Sequence, residues 1–184
     1  YWKSAGADLD WVGNAGSVLV LPGQVRPHYR WTLERPDDVL NSVAARTAVL
    51  PETTPNSSPV AVNFLSALDG TFQSNTGPAN TISTMARYLG ATQVLLRNDI
   101  VWEDNGGTRP AALSQILSKD PGLFGAKNYG PEGQFTMAPD GSQYEAFLPP
   151  LQMYDVWEGR NSIRATPLNG QIVVAGDGFA FPAL

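Results

Sequence analysis

Three features of the sequence predict an α/β fold with a mixed sheet and flanking helices. Ser17-Val18-Leu19-Val20-Leu21 is a short, continuously apolar, β-branched run of the kind formed by a strand buried on both faces, and Thr92-Gln93-Val94-Leu95-Leu96-Arg97 reads as another strand. Helix-period stripes lie between them, giving the strand, helix, strand order of a crossover unit. After Pro121-Gly122 the pattern changes to short strand-like runs separated by Gly, Pro, Asn and Asp. Residues 1–184 read as one domain, or part of one excised from a larger protein, and the sheet is expected to be incomplete at its C-terminal end.

The elements follow in order. Tyr1, Trp2, Ala5, Leu9 and Val12 recur at spacings of three and four, an amphipathic helix stopped by Gly13, Asn14 and Gly16. The strand at 17–21 closes at Pro22-Gly23. Between Gln24 and Pro55, prolines 27, 36, 51 and 55 break any period, so a long loop is expected, and loops of that length are usually functional. Ser57-Ser58-Pro59 supplies a cap and a first-turn proline for a helix that carries Val60, Phe64, Leu65, Leu68 and Phe72 on one face. A second helix over 81–89 turns Ile82, Met85, Ala86 and Leu89 inward and ends at Gly90, before the strand at 92–97. Pro110 opens a third helix through Leu113, Ile116 and Leu117. Residues 123–129, 152–157 and 171–175 complete the set as strands.

Composition excludes several classes. The chain has 12 basic and 17 acidic side chains, a net charge of -5, which opposes nucleic-acid binding because no surplus of Lys and Arg is available to displace counterions. No cysteine and a single histidine, His28, leave zinc without its usual ligands. No segment approaches the roughly 20 apolar residues of a membrane-spanning helix and no signal peptide opens the chain, so the chain is expected to be soluble. The tyrosine at position 1 is expected to mark a piece of something longer.

Candidate chemistry is sparse. His28 could serve as the base of a Ser-His-acid set, but no Gly-x-Ser-x-Gly elbow accompanies it, and a loop histidine among arginines is the expected role. Gly176-Asp177-Gly178 resembles half of a nucleotide cradle, with Phe181 where a third glycine belongs, and reads as a turn. Asp99, Glu103 and Asp104 follow the 92–97 strand at the end where open α/β sheets carry ligands, and a hard cation such as calcium would accept their oxygens; a solvated acidic loop is the expected role. Trp2, Trp11, Phe64 and Phe72 belong to helical stripes and are expected in the core. Tyr29, Trp31, Trp102 and Trp157 stand in loops or at strand ends, where a flat ring can stack on a sugar face or cover the core edge.

Taken together, several segments resemble one family, the large membrane-embedded α-(1→3)-arabinofuranosyltransferases of actinobacterial cell-wall synthesis, of the GT-C type. The resemblance runs through Tyr1-Trp2, the stretch from Gly16 to Gly23, Tyr29-Arg30-Trp31, Pro36 and residues 43–51. It continues through Tyr88-Leu89-Gly90-Ala91, Val94 to Asp99, Asp120-Pro121-Gly122-Leu123, Tyr129-Gly130-Pro131, residues 151–156 and Val173 to Gly176. Two departures are Asp177-Gly178-Phe179 where the family usually has Gly-Pro, and Thr32 where a glycine often follows the tryptophan.

The resemblance implies a segment of the exoplasmic (periplasmic) part of an integral membrane enzyme that takes arabinofuranose from a polyprenyl-phosphate donor. It implies that the catalytic aspartate lies in the membrane domain, so that this chain carries no catalytic residue and no cofactor. Its partners would be that membrane domain and cell-wall arabinan or another glycan, held by Tyr29, Trp31, Trp102 or Trp157. A chain short of charge and rich in amides, hydroxyls and flat rings suits sugar recognition. Two alternatives come from other classes: an independent carbohydrate-binding or structural module, and a hydrolase acting through Glu52, Asp99 or Glu103. An exposed apolar patch near the first helix or near Leu184 is also expected, as surface meant for absent parts of the protein.

Overall fold

The computed structural model describes residues 1–11, 16–24, 27–32, 39–51 and 57–158. These two segments form β1 (Ser17–Leu21) and β3 (Ala91–Arg97), which pair in parallel with Leu19 opposite Val94 and Leu21 opposite Leu96. β2 (Ala48–Val49) adds in parallel outside β1, while β5 (Leu151–Val156) pairs antiparallel with β3, and β4 (Leu123–Tyr129) antiparallel with β5. The sheet is therefore mixed, in the order β2-β1-β3-β5-β4.

Period-2 alternation splits the central strands between two apolar layers. On one face Leu19, Leu21, Val94, Leu96, Tyr154 and Val156 pack beneath α3 (Pro59–Ser74), α4 (Thr81–Tyr88) and α5 (Pro110–Lys119). On the other, Val18, Val20, Leu95, Leu151 and Met153 pack beneath α1 (Trp2–Trp11) and α2 (Val39–Val43). Helices on both faces explain why β1 reads as a continuous apolar run and why β3 is buried along its whole length, with Thr92, Gln93 and Arg97 included. α1 approaches α2 closely enough that a Cβ on Gly6 would lie 2.2 Å from the Val43 carbonyl oxygen. α4 receives its cap from afar, the Ser83 amide donating to Asp120 Oδ2 at 2.8 Å, and ends where Gly90 takes φ +69°.

The structure corrects several expectations. The long-loop region contains α2 and β2, with Leu40 of α2 buried. Trp11 is 88% exposed rather than in the core, because it lies two residues, about 200° around the helix, from the buried Leu9. Val60 is likewise exposed: the fully buried residues of α3 begin in its third turn, at Ala67, Leu68, Thr71 and Phe72, while Phe64 is partly buried against the same core. Val12, Pro36, Glu52, the strand expected at 171–175, Gly176-Asp177-Gly178 and Leu184 lie outside the described residues. Among the described residues no helix is long and apolar enough to cross a membrane.

Candidate glycan groove at the end of the parallel strands

Three segments meet at the C-terminal end of β3, the position where open α/β sheets form their crevices. The first is the turn after β3, which continues into a single 3-10 turn at Trp102–Asn105. The second, residues 27–32, runs antiparallel beside it: Tyr29 pairs with Ile100, the Arg30 amide donates to the Asp99 carbonyl at 2.8 Å, and the Val101 amide to the His28 carbonyl at 2.7 Å. The third is the loop joining β4 to β5, which starts and ends at this side because Tyr129 and Leu151 both align with Arg97.

The ladder between the first two segments sets the side-chain pairing. Arg30 reaches Glu103 with one guanidinium nitrogen 2.7 Å from each carboxylate oxygen, and His28 Nδ1 stands 2.8 Å from Asp104 Oδ2. Asp99 turns inward and is fully buried. Its Oδ2 accepts three hydrogen bonds, from Tyr1 Oη at 2.8 Å, Trp2 Nε1 at 3.0 Å and Trp31 Nε1 at 2.8 Å, while Oδ1 has no partner. Burial pushes the Asp99 carboxyl up to about 6, against the downward pull of those three donors and of the Arg97 charge. The Tyr1 hydroxyl is also raised, first by burial and then by the neighbouring Asp99 charge. Arg97 is buried too and donates to Tyr29 Oη at 3.4 Å and to the Pro22 carbonyl.

An open groove of about 580 Å³ lies above this hub, with His28, Arg30, Trp31, Phe135, Met137 and Pro139 among its walls. The structure brings Tyr29 and Trp31 together here, ring centroids 5.1 Å apart, but their roles differ. Tyr29 is 2% exposed, with the edge of Trp2 against it at 5.8 Å, and acts as a buttress beneath Trp31. Trp31 is partly exposed and its indole N–H is anchored on Asp99, which fixes the ring plane at the groove wall. Trp102 is placed elsewhere, its ring covered by the Arg109 guanidinium 5.2 Å away. Trp157 follows β5 at the opposite end of the sheet, 61% exposed and edge-on to Phe124, and shares no site with Trp31.

The acidic trio is dispersed in function: Asp99 serves the aromatic hub, Glu103 serves Arg30 and Asp104 serves His28. Among the described residues no group of three or more His, Asp or Glu side chains converges in a way that could hold a metal ion. Sequence reasoning did not find Phe135 and Met137, or the Arg109, Tyr144 and Glu145 cluster beside them. The available signal was the aromatic content of residues 130–150, a loop without helix or strand period.

Residues 1–184 match the family model described as the N-terminal GT-C domain of α-(1→3)-arabinofuranosyltransferase. Among solved structures, the cryo-EM structure of arabinofuranosyltransferase AftD from Mycobacteria superposes with a TM-score of 0.72 at 22% identity, covering 89% of this chain and 12% of that one. A point mutant of that enzyme gives 0.73 at 20% identity, covering 88% and 13%. The chain thus spans about an eighth of the length of those proteins, and at such identities the likeness establishes the fold. No curated protein matches the chain.

Proposed function

The chain belongs to the α-(1→3)-arabinofuranosyltransferase family, and from that premise we propose that it holds acceptor glycan for a parent enzyme that builds cell-wall arabinan from a polyprenyl-phosphate arabinose donor. The parent acts at the exoplasmic face of the membrane, and this segment contributes recognition rather than bond-making. The observation that carries the reading is Trp31, a partly exposed indole locked by Asp99 at the wall of an open groove of sugar-binding size. A ring whose orientation is fixed beforehand loses little entropy on stacking against a sugar.

Charge supports acceptor over donor. Arg30 is engaged with Glu103 and His28 with Asp104, so the basic groups at the groove already face carboxylates, and a phosphate would meet their repulsion. A neutral furanoside avoids that conflict and can use the rim as hydrogen-bonding groups. The same pairing supports a segment without its own acid and base: Asp99 is enclosed by three donors and Glu103 by Arg30. Titration with α-linked arabinofuranosyl oligosaccharides, followed by tryptophan fluorescence, tests the reading. Saturable binding that Trp31→Ala abolishes supports it, and binding unchanged in that variant overturns it.

A second role, packing against the rest of the parent protein, is favoured by exposed aromatics away from the groove: Trp11 on α1 and the Phe124–Trp157 pair. Replacing Trp11 and Trp157 by Ser in the full-length enzyme would lower the yield of assembled enzyme if these rings are covered there. An unchanged yield removes this role.

A further inference from the structure

We propose that Tyr144 forms a second platform for neutral glycan, on the side of the 130–150 loop away from Trp31, using a groove of about 580 Å³ between that loop and α5. The proposal rests on the glycan-holding reading for its ligand class and on different residues for its site.

Tyr144 is 72% exposed, a large fraction for an aromatic ring. Its inner face lies over the Arg109 guanidinium, 5.0 Å from centroid to Cζ, while Trp102 approaches the same guanidinium from 5.2 Å. Arg109 cannot swing away, because its nitrogens are bound on several sides. Nε donates to Glu145 Oε1 at 3.0 Å and Nη2 to Glu145 Oε2 at 2.8 Å, Nη1 donates to Asp140 Oδ2 at 2.9 Å, and Nη2 also donates to the Ser142 hydroxyl. Glu145 has no exposed surface, so the fork sits on a fixed, buried base.

The result is an exposed ring backed by a cation that is itself tied down, an arrangement on which a sugar can stack. The opposite wall is the α5 surface, where Gln115 and Ser118 are exposed and Ser114 donates to Gln152 at 2.7 Å. These amide and hydroxyl groups suit sugar hydroxyls. Charge again selects a neutral ligand: the single Arg109 cation faces two carboxylates, Glu145 and Asp140, which leaves no positive field for a phosphate.

Calorimetric titration of the chain with an α-linked arabinofuranosyl hexasaccharide tests this, read as the number of sites and compared among wild type, Tyr144→Ala, Tyr144→Phe and Trp31→Ala. Two sites are expected in the wild type, with Tyr144→Ala losing one, at least about tenfold weaker, and Tyr144→Phe keeping it. If Tyr144→Ala binds as wild type while Trp31→Ala abolishes binding, the platform is overturned and the Trp31 groove stands. If Trp31→Ala binds as wild type while Tyr144→Ala loses its site, the platform stands and the Trp31 groove fails. Absence of binding in the wild type overturns both. Unchanged thermal unfolding of Tyr144→Ala separates lost recognition from lost folding.

Discussion

Replacing Asp99 by Asn is expected to remove a pH-dependent liability from the middle of the molecule, and the comparison with Ala separates charge from hydrogen bonding. The wild-type carboxyl is raised from 3.8 to about 6 in the folded state, chiefly by burial. A folded-state value above the unfolded one means that the native protein binds the proton more tightly. The stabilising contribution is therefore fully present below about pH 4 and is lost as pH rises through about 6. Roughly two units correspond to about 3 kcal/mol, most of it lost between about pH 4 and pH 7.

Asn keeps one oxygen for the Tyr1, Trp2 and Trp31 donors and cannot ionise, so its stability should lack this component. Its amide takes the position of Oδ1, which has no partner, at a cost of about 1–3 kcal/mol that is the same at every pH. Ala removes the acceptor altogether. With Trp2 buried and Tyr1 and Trp31 partly so, Ala should fall about 3–5 kcal/mol below Asn throughout. Urea unfolding of the three proteins at several values between about pH 4 and pH 7 reads each quantity directly. Parallel wild-type and Asn profiles would refute the raised carboxyl, and Ala within about 1 kcal/mol of Asn would refute the three-donor hub.

Two further substitutions test the packing. Gly6→Ala would gain about 1 kcal/mol in an isolated helix, but here its Cβ meets the Val43 carbonyl at 2.2 Å, so a loss of about 1–3 kcal/mol is expected in chemical unfolding; a gain would show that α1 and α2 are not in contact. Trp11→Ala should change stability by no more than about 0.5 kcal/mol, because the ring is 88% exposed, and a loss above about 2 kcal/mol would return it to the core.

The parts of the fold legible in the sequence are those whose elements carry their own signal. β1 declares itself by an apolar run because both faces are covered, β3 by Val94-Leu95-Leu96 following a helix and Gly90, and α4 and α5 by their stripes together with Gly90 and Pro110. β2 is two residues long and α2 buries only Leu40, so neither builds a period against the prolines around it. Trp11 was misplaced because a tryptophan on an amphipathic helix invites burial, although the stripe at Trp2, Ala5 and Leu9 leaves position 11 outside.

The site was legible as a list of residue types and opaque as an arrangement. Tyr29 and Trp31 could be marked as loop aromatics, yet what distinguishes buttress from groove wall is a contact with Asp99 made across 68 residues. Glu103 and Asp104 read as a solvated acidic loop, although the alternating His28, Tyr29, Arg30, Trp31 segment holds the matching bases, because only the ladder at Tyr29 and Ile100 sets their register. The Arg109 cluster escaped for the same reason: its carboxylates lie 31 and 36 residues away in a loop without period.

The central claim is that Trp31, locked on Asp99, gives this family member a groove for neutral glycan. The most direct measurement is the affinity of the chain for an α-linked arabinofuranosyl oligosaccharide, followed by tryptophan fluorescence in wild type and Trp31→Ala. Saturable binding lost in the variant, with no competition from inorganic phosphate, is the predicted result. Absence of binding to the wild type, or an affinity untouched by the loss of Trp31, would contradict it.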